Sequence, residues 1–206
     1  YYTLKNMDYK STRQTAVQRT FYHLRDEGVL DYKKLVVLGI GEGAYLAPSL
    51  ATMFEADSAV MINGGPFSEM IEIERAAQDG VDDTEAEFFD RVLRISKQKD
   101  LLRAVENVRQ GRADAFALGP HMNKYWLTYN AAITAHDYQH MPGHAVWIFF
   151  DKYPLHKAQN EQYIRSLSGM RKEGSSEQII LPGTGNISES EVQQRLAEKL
   201  LEILDN

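Results

Sequence analysis

The stretch Leu35-Val36-Val37-Leu38-Gly39-Ile40-Gly41-Glu42-Gly43-Ala44-Tyr45-Leu46 decides the fold. Its first half is a short apolar run rich in β-branched residues, as a strand buried on both faces requires. Its second half is dense in glycine and passes into Ala44-Tyr45-Leu46, so the strand enters a helix through a tight turn in which backbones pack closely. Ser58-Ala59-Val60-Met61-Ile62-Asn63 is a second apolar run, ended by Gly64-Gly65-Pro66. Two such runs separated by a helix form the βαβ pattern of a parallel sheet. The helix between them is expected over Glu42 to Phe54, with Pro48 either in its first turn or at a kink.

Upstream, Tyr1-Tyr2-Thr3-Leu4 reads as a strand, and the following helix places Val17, Phe21 and Leu24 on one face before Gly28 stops it. Downstream, the strand pattern gives way from Phe67 to Met141. Met70, Ile71 and Ile73, then Phe88, Val92, Leu93, Leu101, Leu102, Val105 and Val108, then Trp126, Tyr129 and Ile133 are spaced for helices, punctuated by Gly80, Gly111 and Gly119-Pro120. This is a helical insertion between strands. It either forms a cap over the carboxyl edge of the sheet, where ligands bind in α/β proteins, or only thickens the fold. The sheet resumes with Ala145 to Phe150, followed by a helix around Glu161 to Met170 and a strand over Glu177 to Leu181. The last helix repeats Val192, Leu196, Leu200 and Leu204, with Ser188 and Glu191 spaced for a capping box at its start. The expected organisation is a core over residues 1–66 and 142–206, with the insertion at 67–141.

Composition bounds the function. The chain has 206 residues, 43% of them hydrophobic, and a net charge of -6. No clustered basic face suggests nucleic acid as a partner. Cysteine is absent, which excludes thiolate nucleophiles, thiolate metal sites and disulfides. No apolar run reaches the roughly 18 residues of a membrane-spanning helix. His136 and His140 share a helical face at the spacing of a metal pair, but no third ligand is evident, so no metal or other cofactor is expected.

The order of motifs resembles the carboxyl-terminal half to two-thirds of an α/β-hydrolase: a glycine elbow, a strand ending in Asn63-Gly64-Gly65-Pro66, a helical cap, a strand ending in Asp151, and a strand running into Pro182-Gly183-Thr184-Gly185-Asn186. The segment His121 to Trp126, continued to Met141-Pro142, is most similar to the esterase and acyl-peptidase-like branches. The resemblance implies a mostly parallel sheet flanked by helices. It places the nucleophile of the G-x-S-x-G elbow on Gly41, the acid on Asp151 and the histidine on Asn186. A serine triad needs a hydroxyl to attack and an imidazole to take its proton. Glycine supplies neither, and an asparagine amide is no base near neutral pH.

The resemblance therefore implies a degenerate triad in an inherited pocket, with Gly41, Glu42, Asp151, Asn186 and Trp126 as ligand-binding candidates. The backbone N–H of Glu42 falls where the fold has an oxyanion donor. A small molecule or a protein partner is the expected occupant. An active ester or peptide hydrolase with a relocated nucleophile, and a structural subunit, are the alternatives. The first of these needs a hydroxyl, a histidine and a carboxylate to converge elsewhere. The family's sheet order also leaves a strand missing between Tyr1–Leu4 and Leu35–Leu38. Upstream residues of the same protein, or another chain, are expected to complete the sheet, unless Tyr1–Leu4 itself pairs with the central strand.

Overall fold

The computed structural model describes residues 9–64, 69–80, 89–90, 93–95, 97–111, 118, 135–141, 143–153, 164–171 and 174–205. Four strands, β1 (Val36–Ile40), β2 (Ser58–Ile62), β3 (His144–Phe150) and β4 (Ser175–Leu181), form one sheet in the order β1-β2-β3-β4. Every pairing is parallel. The helices are α1 (Tyr9–Asp26), α2 (Ala47–Phe54), α3 (Glu69–Asp79), α4 (Gln98–Arg109), α5 (Ala135–His140) and α6 (Ser190–Asp205). The expected strand at Tyr1–Leu4, the residues Trp126, His121 and His156, and the insertion segments 81–88, 112–117 and 119–134 lie outside the described residues.

The period of two along β2 and β3 sorts their side chains between two cores. Ala59, Met61, Ala145, Trp147 and Phe149 face α2 and α5, where Ala47, Ala51, Tyr138 and Met141 meet them. Val60, Ile62, Val146, Ile148 and Phe150 face α6, against Val192, Leu196 and Ile203. Both strands are thus buried on both sides, which is why their sequences are unbroken apolar runs. A polar network threads the first core: Trp147 Nε1 donates to Tyr138 Oη at 3.1 Å, and Tyr138 Oη lies 2.8 Å from Ser176 Oγ.

The helices α3 and α4, between β2 and β3, share a third core with the turn after β1. Ile73, Ala76 and Ala77 of α3 and Leu101, Ala104, Val105 and Val108 of α4 cluster with Tyr45, Leu46 and Leu50. These helices are therefore anchored on the elbow and the start of α2.

Several local expectations are refined. The helix foreseen from Glu42 divides into a 3-10 turn, Gly41–Tyr45, and α2, which begins at Ala47 with Pro48 in its first turn and no kink. Proline is accommodated there because the first helical N–H groups have no intrahelical partner. The stripe on α6 ends on Ile203, 8% exposed, while Leu204 is 48% exposed. At 3.6 residues per turn, spacing by four drifts, so Leu204 lies about 120° from Val192 and Ile203 only about 20°. The capping box is not formed. Instead α6 begins at Ser190, and the Ser188 hydroxyl donates to Asn186 Oδ1 at 2.8 Å.

Among the described residues β1 pairs on one side only, with β2, and exposes Leu38 and Ile40 at 44% and 37%. Beside it Val17, Phe21 and Leu24 of α1 line an apolar groove with Leu35, Leu38 and Phe54. Phe21 stacks on Phe54 with ring centroids 4.1 Å apart.

Candidate functional site at the carboxyl edge

The turn after β1 is held by the absence of side chains. A Cβ on Gly39 would lie 2.3 Å from the carbonyl oxygen of Gly43, and one on Gly64 would lie 2.2 Å from the Ala44 Cβ and 2.8 Å from the Gly41 carbonyl oxygen. All three separations are shorter than real Cβ contacts, so strand, turn and the end of β2 can pack this closely only through glycine. Gly41 is different. Its φ is +54°, in the left-handed region, and a Cβ there would meet no atom within 4 Å. The backbone bends here through a left-handed residue, with room for a side chain and none attached.

The exit of β2 packs on this turn and is tied to the exit of β4, which in turn is tied to that of β3. Asn63, 5% exposed and at φ +52°, follows β2. Its backbone N–H donates to the Ile148 carbonyl and its Nδ2 donates to the Gly185 carbonyl, each at 2.9 Å. Asn63 thereby ties the neighbourhood of Gly41 to that of Asn186. Its other amide atom, Oδ1, is buried without a hydrogen-bond partner among the described residues. In the sequence Asn63 reads only as the end of a strand motif. A polar residue between an apolar run and two glycines was the available signal.

The remaining candidates are engaged in structure. Asp151 follows β3, and its Oδ1 accepts the Gly183 N–H at 2.7 Å, so the carboxylate fixes the turn leaving β4. Asn186 Oδ1 accepts from the Ser188 N–H at 3.2 Å as well as from its hydroxyl, which makes it the pivot of the turn into α6. The Arg13 guanidinium of α1 holds Glu42 at 3.2 Å, so this carboxylate is an ion-pair partner at the turn. Trp126 lies outside the described residues. Among the described residues no group of three or more histidines and carboxylates is arranged to hold a metal ion, and no helix is long and apolar enough to cross a membrane. A hydroxyl, an imidazole and a carboxylate do meet at the opposite edge of the sheet, where Ser175, His144 and Glu177 stand together.

No family model matches the sequence, and no curated protein matches it. Solved structures do match in shape. A carboxyl esterase from Bacillus coagulans in complex with glycerol superimposes with a TM-score of 0.59 at 11% identity, over 97% of this chain and 72% of that one. A monoacylglycerol lipase from Paleococcus ferrophilus gives 0.56 at 11% identity, over 97% of this chain and 77% of that one. A thioesterase domain from the curacin biosynthetic pathway gives 0.54 at 11% identity, over 98% and 75%. At this level of identity the likeness is one of fold.

Proposed function

We propose that this chain, whose fold is that of the α/β-hydrolases, uses the carboxyl edge of its sheet to bind a small ligand without hydrolysing it there. The observation that carries the reading is Gly41: the left-handed turn and the open space beside it are retained, and the atom that would attack is not. Without a hydroxyl at residue 41 or an imidazole at residue 186, neither attack nor proton transfer has a group to perform it. Recognition can outlast both, because it rests on backbone and amide groups.

Asn63 suggests the chemistry of the ligand. A buried amide oxygen without a donor costs about 1–3 kcal/mol, a deficit that a hydroxyl or amide N–H from a ligand removes. Small hydroxylated or amide-bearing compounds fit this requirement.

Titration of the isotopically labelled chain with glycerol and with acetamide, followed by amide NMR, tests the reading. Saturable shifts confined to Gly41, Asn63, Gly64 and Gly185 are expected, and Gly41→Leu, which projects a side chain into the open space, should abolish them. Uniform shifts, or none with either probe, contradict it.

A protein-interaction role has its support at β1. We infer that a further strand pairs with its outer edge, because an exposed apolar edge strand is a template for pairing. Native-state amide exchange of the full-length protein checks this. Slow exchange of every β1 amide, with Leu38→Lys accelerating the outward-facing ones, is the expected result, and fast exchange of those amides from the start contradicts it.

A further inference from the structure

β3 and β4 begin side by side at the amino edge of the sheet, where His144 pairs with Ser175 and Val146 with Glu177. Side chains two residues apart on a strand share a face, so His144, Ser175 and Glu177 project together toward the side covered by α6. His144 Nδ1 lies 2.5 Å from Ser175 Oγ, and His144 Nε2 lies 3.5 Å from Glu177 Oε2.

The register behind this contact is tightly held. Gly143 and Gly174 precede His144 and Ser175 at φ +71° and +74°. A Cβ on Gly143 would sit 2.0 Å from the Asp57 carbonyl oxygen, and one on Gly174 would sit 1.8 Å from the Gly143 carbonyl oxygen. Arg171 Nη2 donates to the carbonyls of Met141 and Gly143, each at 2.8 Å, and clamps the same entrance. The imidazole and the hydroxyl are thus mounted on adjacent strands whose starts cannot slide.

The cluster opens into a cavity of about 640 Å³ that Lys34, Asp57, Lys199 and Glu202 also line. Lys199 donates to Glu202 at 2.7 Å, and this hydrogen bond raises its pKa above the usual lysine value, with a smaller contribution from the charge of Glu177. A fixed ammonium group therefore stands at the rim of the cavity.

We propose that Ser175, His144 and Glu177 form an ester-reactive centre at the amino edge, separate from the vacant elbow. The carboxylate at Nε2 selects the tautomer that carries its proton there, which leaves the Nδ1 lone pair to accept the Ser175 O–H. The two ring nitrogens exchange the roles they have in the serine-protease triad. Ser175 Oγ attacks the carbonyl carbon of a small ester as its proton passes to Nδ1, and Glu177 stabilises the imidazolium. The tetrahedral adduct collapses with cleavage of the bond to the alcohol oxygen. The departing alcohol takes the proton from Nδ1 and leaves an acyl group on Ser175. Water then attacks the acyl carbon and gives its proton to His144. Release of the carboxylic acid returns that proton to Ser175. Because the site is partly open and bordered by charged groups, its substrates are small, water-soluble esters.

The test is p-nitrophenyl acetate hydrolysis and fluorophosphonate labelling of the full chain, with the adduct located by peptide mass mapping. The expected adduct is on Ser175, lost in Ser175→Ala. His144→Gln should lower turnover by about 100-fold or more, the scale of general-base contributions. Glu177 acts through the imidazole, so Glu177→Gln should lower kcat with KM unchanged. Absence of label and turnover in the wild-type chain overturns the proposal, as does activity that persists in Ser175→Ala. The mapping needs no variant, so a folding defect cannot imitate either result. Label on Ser175 leaves the binding role of the elbow intact, whereas label on a hydroxyl at the carboxyl edge would count against that role.

Discussion

Alanine at Gly39 or at Gly64 should lower the unfolding free energy by about 3 kcal/mol, while alanine at Gly41 should cost about 1 kcal/mol. At the first two positions the added carbon meets backbone or the buried Ala44 methyl well inside contact distance. Neither obstacle can rotate away. The turn must open, and with it the docking of Tyr45, Leu46 and Leu50 against α3 and α4. At Gly41 the added carbon meets nothing, and the cost is that of a left-handed backbone. For a chain of this size the larger loss corresponds to a fall in Tm of roughly 6–12 °C, measurable by thermal or urea unfolding. Equal effects at all three positions would show that the elbow is not packed as described.

Phe150→Ala should be more costly still, at about 3–5 kcal/mol in urea unfolding. The ring is fully buried between β3 and α6, beside Val146, Ile148 and Val192. It also reaches the carboxyl edge, since its Cδ1 stands 3.4 Å from the place a Cβ would take on Gly183. Removing it leaves a cavity under the turn that Asp151 holds, so amide exchange of residues 183–186 should accelerate along with the loss of stability. A loss below about 1 kcal/mol would mean that the α6 face is not the tightly packed core described.

Much of this architecture is legible in the sequence because burial on both faces leaves a plain mark. After their first residues, Ser58 and His144, β2 and β3 are apolar without interruption, and each sends alternate residues into a different core. The glycines around residue 41 are equally legible, since few other contexts need so many. Where reading by pattern slips, it slips in phase. A spacing of four puts the α6 stripe on Leu204, although the helix turns the buried position to Ile203. The Ser188 and Glu191 spacing fits a capping box, yet Asn186 competes for the same hydroxyl and takes it.

The sites are less legible than the fold because they depend on register and side-chain direction. Asn63 is significant through a left-handed backbone and an amide aimed at Gly185, of which the sequence marks only a polar residue at the end of an apolar run. The loop order implied by the resemblance leaves His144 unmarked. Its partner lies 31 residues away, and only the parallel alignment of β3 with β4 sets the two side by side. Gly143 and Gly174 were the nearest available signal, each a glycine one residue before a member of the pair.

The central claim is that the elbow holds geometry without a nucleophile, and covalent mapping reads this most directly. After exhaustive fluorophosphonate treatment of the intact chain, peptides spanning residues 36–64 and 182–190 should carry no adduct. An adduct on Ser49, Thr184 or Ser188, removed by alanine at that position together with any esterase activity, would contradict it and place a working nucleophile at the carboxyl edge.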